Sequence, residues 1–67
     1  MKELAEHIKE LREEKSLTQS QLAKELGVTQ STIAKWESAE RIPSLEFLIK
    51  IAKTYHCSID WLVGLEF

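Results

Sequence analysis

Few residues of this 67-residue chain have the type and spacing that covalent chemistry needs. A nucleophile needs a base held beside it, and the two histidines, His7 and His56, lie far apart in sequence. Cys57, the single cysteine, follows His56 directly. Adjacent residues face different ways on a helix or strand and structural zinc wants four ligands, so no metal is expected there. There is no Gly-rich phosphate loop and no carboxylate pair placed for acid–base work, so neither an enzyme, a cofactor nor a small-molecule substrate is expected. What remains is hydrogen-bonding chemistry between Gln19 and Trp36, where Gln30, Ser31, Thr32 and Lys35 cluster. Gln can pair bidentately with adenine and Lys can reach the acceptors of guanine. Taken alone, the same residues are equally the polar first turn and solvated charge of a surface helix.

The elements that must carry these residues are helical. Leu4, Ile8 and Leu11 recur at spacings of four and three, with Lys15 next on the same face and Glu, Lys and Arg between, which predicts an amphipathic helix ending near Ser16. Thr18 with Gln21 forms a capping box that opens a second helix over about 19–26, its inner face Leu22, Ala23 and Leu26. Gly27 stands where a helix ends in a left-handed residue, and Thr29 caps a third helix whose buried positions are Ile33 and Trp36. Ser38 to Pro43 reads as a loop. Ser44 caps a fourth helix, with Leu45, Leu48, Ile49, Ala52 and Tyr55 expected on its inner side and Phe47 and Ile51 near the edge. A short fifth helix begins after Ser58 and ends at Gly64. No strand alternation or repeat occurs, so the fold class is all-α, a compact bundle of five helices in one domain spanning 1–67.

Composition agrees. With 43% hydrophobic and 30% charged residues the chain is an ordinary globular domain, and at this length it buries only about 60% of the surface its unfolded form exposes. No apolar run approaches the roughly 20 residues of a membrane span, and the N-terminus alternates charge with apolar residues where a signal peptide would need an apolar stretch. With a single cysteine, these features lead one to expect a cytoplasmic protein that meets no membrane. The net charge is −2, which argues against non-specific attraction to phosphate. Lys15, Lys24 and Lys35 against Glu25 nevertheless leave the segment from Lys15 to Trp36 at +2 and the remainder at −4.

The segment from Gln19 to Trp36 resembles the helix-turn-helix of the phage repressor and Cro family, also called the XRE family, with the motif over about 18–37. Leu22, Ala23, Leu26, Gly27, Val28, Ile33 and Trp36 stand at its apolar, small and turn positions. Ala23 is small so that the two helices approach closely, and the large residues lock the angle between them. The likeness continues through IPSLEFLIKIAKTY and CSIDWLVG, which implies the five-helix bundle of the phage repressor DNA-binding domain type.

Membership implies that the helix at about 29–37 enters the major groove of double-stranded DNA while the start of the second helix meets the backbone. By position, Gln30, Ser31 and Lys35 then face base edges, and Gln19 and Thr32 meet phosphate. Relatives often carry Gly and a basic residue after the third helix, where this chain has Ala39 and Glu40; Arg41 is the cation expected to compensate at phosphate. The resemblance also implies an ion pair between Arg12 and Glu37, the alternative being two surface charges. It further implies a homodimer centred on Ile59, with Trp61, Leu65 and Phe67 contributing, that reads a palindromic operator. Trp61 and Phe67 folded back onto the monomer is the alternative. The implied function is a sequence-specific transcriptional regulator, a repressor that occupies its operator. A protein-interaction module for a toxin or regulator partner, with weak DNA binding, is the competing expectation, and the acidic balance is what favours it.

Overall fold

The structure, a computed structural model, describes residues 2–65. Five helices follow one another, α1 (Lys2–Glu14), α2 (Gln19–Leu26), α3 (Gln30–Glu37), α4 (Leu45–Tyr55) and α5 (Ile59–Val63), with no strand among the described residues. Local chemistry sets nearly every boundary. Thr18, Thr29, Ser44 and Ser58 lie in extended geometry, and each side chain accepts a backbone N–H of its helix's first turn. Four helices end the same way, in a left-handed residue followed by an N–H that reaches back five positions. These bonds run from Leu17 to Arg12, Val28 to Ala23, Cys57 to Ala52 and Leu65 to Asp60, behind Ser16, Gly27, His56 and Gly64. α3 instead ends at Ser38 in right-handed geometry, with Ala39 at φ 65° and Arg41 N–H donating to Lys35 O at 3.2 Å.

Every helix contributes to one core. Leu4, Ile8, Leu26, Ile33, Ile51 and Leu62 are fully enclosed, each side chain worth about 1.5–3 kcal/mol relative to exposure. α4 is turned from its expected orientation. Leu45 is 65% and Ile49 37% exposed, whereas Ile51, expected near the edge, is 2% exposed. The cause is Phe47, whose ring meets Trp36 with centroids 5.4 Å apart at 57° and draws the 47, 48, 51, 52, 55 stripe inward. No described helix is long and apolar enough to cross a membrane.

Candidate nucleic-acid interface

The turn between α2 and α3 is built to fix their angle. Thr18 Oγ accepts Gln21 N–H at 3.1 Å and Gln21 Oε1 accepts Thr18 N–H at 2.8 Å, completing the reciprocal cap. Gly27 sits at φ 75°, a region that costs a residue with Cβ about 1–2 kcal/mol. Ala23 is buried beneath the crossing, as its small size requires, and Val28 is half-buried against the core. Thr29 then starts α3: its Oγ accepts Thr32 N–H at 3.2 Å and shares a hydrogen bond of 2.9 Å with the Thr32 hydroxyl.

Arg12 and Glu37 meet as a bidentate pair across α1 and α3. Arg12 Nε donates to Glu37 Oε2 at 2.7 Å and a terminal nitrogen donates to Oε1 at 3.1 Å, while the other terminal nitrogen donates to Leu17 O at 2.8 Å. The side chains are only 14% and 5% exposed. The hydrogen bonds to Glu37 push the guanidinium above its already high pKa; desolvation opposes this, and Glu37 and Glu13 add Coulombic support. Arg12 is therefore charged at any working pH.

The pair does not end there. Gln19 Nε2 donates to Glu37 Oε1 at 3.1 Å, and Gln30 Nε2 donates to Gln19 Oε1 at 2.6 Å. Chemistry dictates the direction of this relay. A carboxylate engaged by Arg only accepts, so Gln19 must turn its NH₂ toward Glu37 and its oxygen toward Gln30. Gln30 must in turn give one N–H to Gln19, which leaves its Oε1 and a second N–H for an outside partner. The Glu37 carboxylate, held by Arg12 of α1, thus orients an exposed amide at the other end of α3. Gln19, expected from sequence as a phosphate contact, uses its oxygen and one N–H in this relay and keeps a second N–H; no spacing along the chain announces the relay.

Gln30, Ser31 and Lys35 are exposed on α3, where Ile33 and Trp36 are buried and Thr32 is half-buried. Arg41 and Glu40 lie exposed in the loop that follows. Of the residues expected at a dimer surface, Ile59 is half-buried outside the core cluster and Leu65 is 60% exposed. Trp61 behaves otherwise: its ring stacks on His7 of the same chain, 4.2 Å between centroids and 7° from parallel, and packs against the core. His7 Nδ1–H donates to Trp61 O at 2.6 Å. Phe67 lies outside the described residues. Two α4 side chains also reach the motif, Tyr55 from the inner side expected for it and Lys50 without a sequence signal: Lys50 Nζ donates to Leu26 O at 3.0 Å, and the Tyr55 hydroxyl donates to Glu25.

This architecture has close counterparts. The transcriptional activator BcrR of Enterococcus faecalis is 42% identical over 64 residues, covering 96% of this chain and 31% of that protein. The cryptic phage CTXphi transcriptional repressor RstR of Vibrio cholerae is 45% identical over 47 residues, 70% of this chain and 42% of its own. The chain thus spans less than half the length of these two relatives. A crystal structure of the phage P22 c2 repressor with a synthetic operator superposes with TM-score 0.86 at 30% identity, covering 98% of this chain and all of that one. A helix-turn-helix family model matches residues 8–62, from the middle of α1 to the last core residue of α5. Motif, five-helix scaffold and matched span agree, and the chain belongs to the XRE-type helix-turn-helix family, that of the phage repressors.

Proposed function

We propose that this domain binds double-stranded DNA sequence-specifically, placing α3 in the major groove, and regulates transcription in the cytoplasm as a repressor that occupies its operator. The oriented amide of Gln30 carries the reading. Its free oxygen and free N–H match the N6–H₂ donor and N7 acceptor that adenine presents in the major groove. Lys35 and Ser31, exposed on the same helix, are the other base-reading residues; Gln19, Thr32, Arg41 and the backbone N–H groups at the start of α2 meet phosphate, Gln19 through its second N–H while its oxygen steers Gln30. The P22 c2 repressor, crystallised on an operator, supports the docking by its likeness in fold.

Two copies joined through Ile59 and Leu65, both outside the core, set their α3 helices about 34 Å apart and read a palindrome in successive major grooves. A site selected from random DNA with the wild-type domain, followed by anisotropy titrations at two salt concentrations, tests this. Gln30→Ala and Lys35→Ala are each expected to lose roughly 1–3 kcal/mol of discrimination between operator and random DNA, with the fold intact. Selection that returns no preferred sequence would overturn the reading in favour of a protein-interaction module.

A further inference from the structure

The relay anchors the helix-turn-helix at one end, through α1; a second set of bonds anchors the other, through α4. Leu26 O is one of the last carbonyls of α2, which have no partner within the helix, and Lys50 supplies one from α4 at 3.0 Å. One residue earlier on α2, Glu25 accepts the hydroxyl of Tyr55. α4 otherwise meets the motif through apolar contact such as Trp36 on Phe47. Apolar burial is non-directional, whereas a hydrogen bond weakens steeply once bent. A body held by directed bonds at Arg12–Glu37 alone relies on core packing to resist rotation about that point, and a second directed attachment at Glu25 and Leu26 restricts that rotation further.

From this arrangement we infer that Lys50 and Tyr55 are positioning residues that set the angle between α4 and the helix-turn-helix, and with it the half-site spacing that two copies accept. The inference rests on the dimeric DNA-binding reading above. The proposed dimer surface lies on α5, which packs on both α4 and α1. The relative placement of the two α3 helices is therefore transmitted from α5 through those neighbours. Neither Lys50 nor Tyr55 needs to touch DNA for this. Half-site affinity depends on α3 itself, and spacing preference depends on how rigidly α3 is held relative to the dimer surface.

The test uses the operator selected by the wild type, versions with one base pair added or removed between half-sites, and a duplex with a single half-site. One base pair turns a half-site by about 34–36°. Wild type is expected to lose roughly tenfold affinity on either change of spacing, the size of a typical single mismatch. Lys50→Met, Tyr55→Phe and their combination are expected to shrink that ratio at least threefold while single half-site affinity stays within about twofold, and Lys50→Arg, which keeps a donor, is expected to retain it. Circular dichroism at the assay temperature confirms that each variant compared is folded. An unchanged spacing ratio in the double variant overturns the inference, as does an equal loss on every duplex including the single half-site. A wild type indifferent to spacing but specific for its half-site would instead remove the dimer, and the inference with it.

Discussion

Replacing Glu37 by Gln tests the centre of the structure, because one substitution removes the charge on which three hydrogen bonds converge. Breaking a buried ion pair by removing one partner costs about 3–5 kcal/mol. Arg12 keeps its bond to Leu17 O and 14% of its side-chain surface, and the new amide oxygen still accepts, which reduces the expected loss to roughly 2–3 kcal/mol. Stability of about 0.05–0.15 kcal/mol per residue gives a domain of this length roughly 3–10 kcal/mol in all. Thermal unfolding followed by circular dichroism is then expected to show Tm lowered by about 10–20 °C. Arg12→Met with Glu37→Leu, which leaves no charge buried, is expected to lose less than Glu37→Gln alone. On DNA, Glu37→Gln frees the Gln19 amide to turn, so discrimination for adenine opposite Gln30 falls along with stability. A Glu37→Gln variant within 0.5 kcal/mol of wild type, a bound taken from about the spread of neutral surface substitutions, would refute the buried relay.

Both glycines lie at positive φ, but their surroundings differ, and Ala substitutions separate strain from space. A Cβ at Gly64 would stand 2.9 Å from Glu3 Cβ, forcing α1 to shift, whereas at Gly27 the nearest atom is Lys50 Nζ at 3.9 Å. Gly64→Ala is expected to cost roughly 2–4 kcal/mol and Gly27→Ala about 1–2 kcal/mol in urea unfolding, and equal costs would contradict the packing of α1 on the end of α5. Ala39 has φ 65°, so Ala39→Gly is expected to leave stability unchanged or raise it; a loss of about 1 kcal/mol, the usual penalty of Gly in a helix, would deny the left-handed turn after α3. Tyr55, the only tyrosine of the chain, has its pKa raised above 10.0 by burial and then by Glu25. Its absorbance at 295 nm is expected to titrate above that value when folded and at the ordinary value in denaturant. Because the folded state holds the proton more tightly, this contribution is full below pH 10 and is lost as pH rises through the folded pKa. A normal midpoint in the folded domain would contradict the burial of Tyr55 together with its bond to Glu25.

The helices, their caps and the turn were legible in the sequence because each is specified within a few residues. Thr18 and Gln21 declare a capping box, Gly27 a left-handed end, and Leu4, Ile8 and Leu11 a buried stripe, whatever the rest of the chain does. The orientation of α4 was not. Leu45 and Ile49 fit a period of 3.6 as well as Phe47 and Ile51 do, and only the Trp36 ring on another helix decides between them. Trp61 illustrates the same limit, since an apolar residue near a terminus covers the core or a partner according to what stands opposite, here His7. The residues expected at base edges could be placed through the likeness to relatives. The relay behind them could not, because Gln19 and Gln30 are eleven residues apart with a turn between them and carry no pattern.

What the relay changes is the relation between stability and recognition in so small a domain. A core of this size leaves little stability to spare, and apolar contacts, which turn α4, cannot by themselves specify the face of an amide. Here one buried charge bears on both stability and recognition. Glu37 ties α3 to α1 through Arg12, and the oxygen that receives Gln19 sets which end of the Gln30 amide faces outward. On the proposed docking, residues of the relay thereby constrain which base is read, and a substitution that weakens the fold at Arg12 or Glu37 is expected to loosen specificity by the same physical step. Lys35 is different: it is exposed and outside the relay, so its substitution is expected to alter the proposed base contact without a cost in folding. On the proposed docking, the interface therefore divides into a part locked to the scaffold, at Gln30, and a part outside the relay, at Ser31 and Lys35.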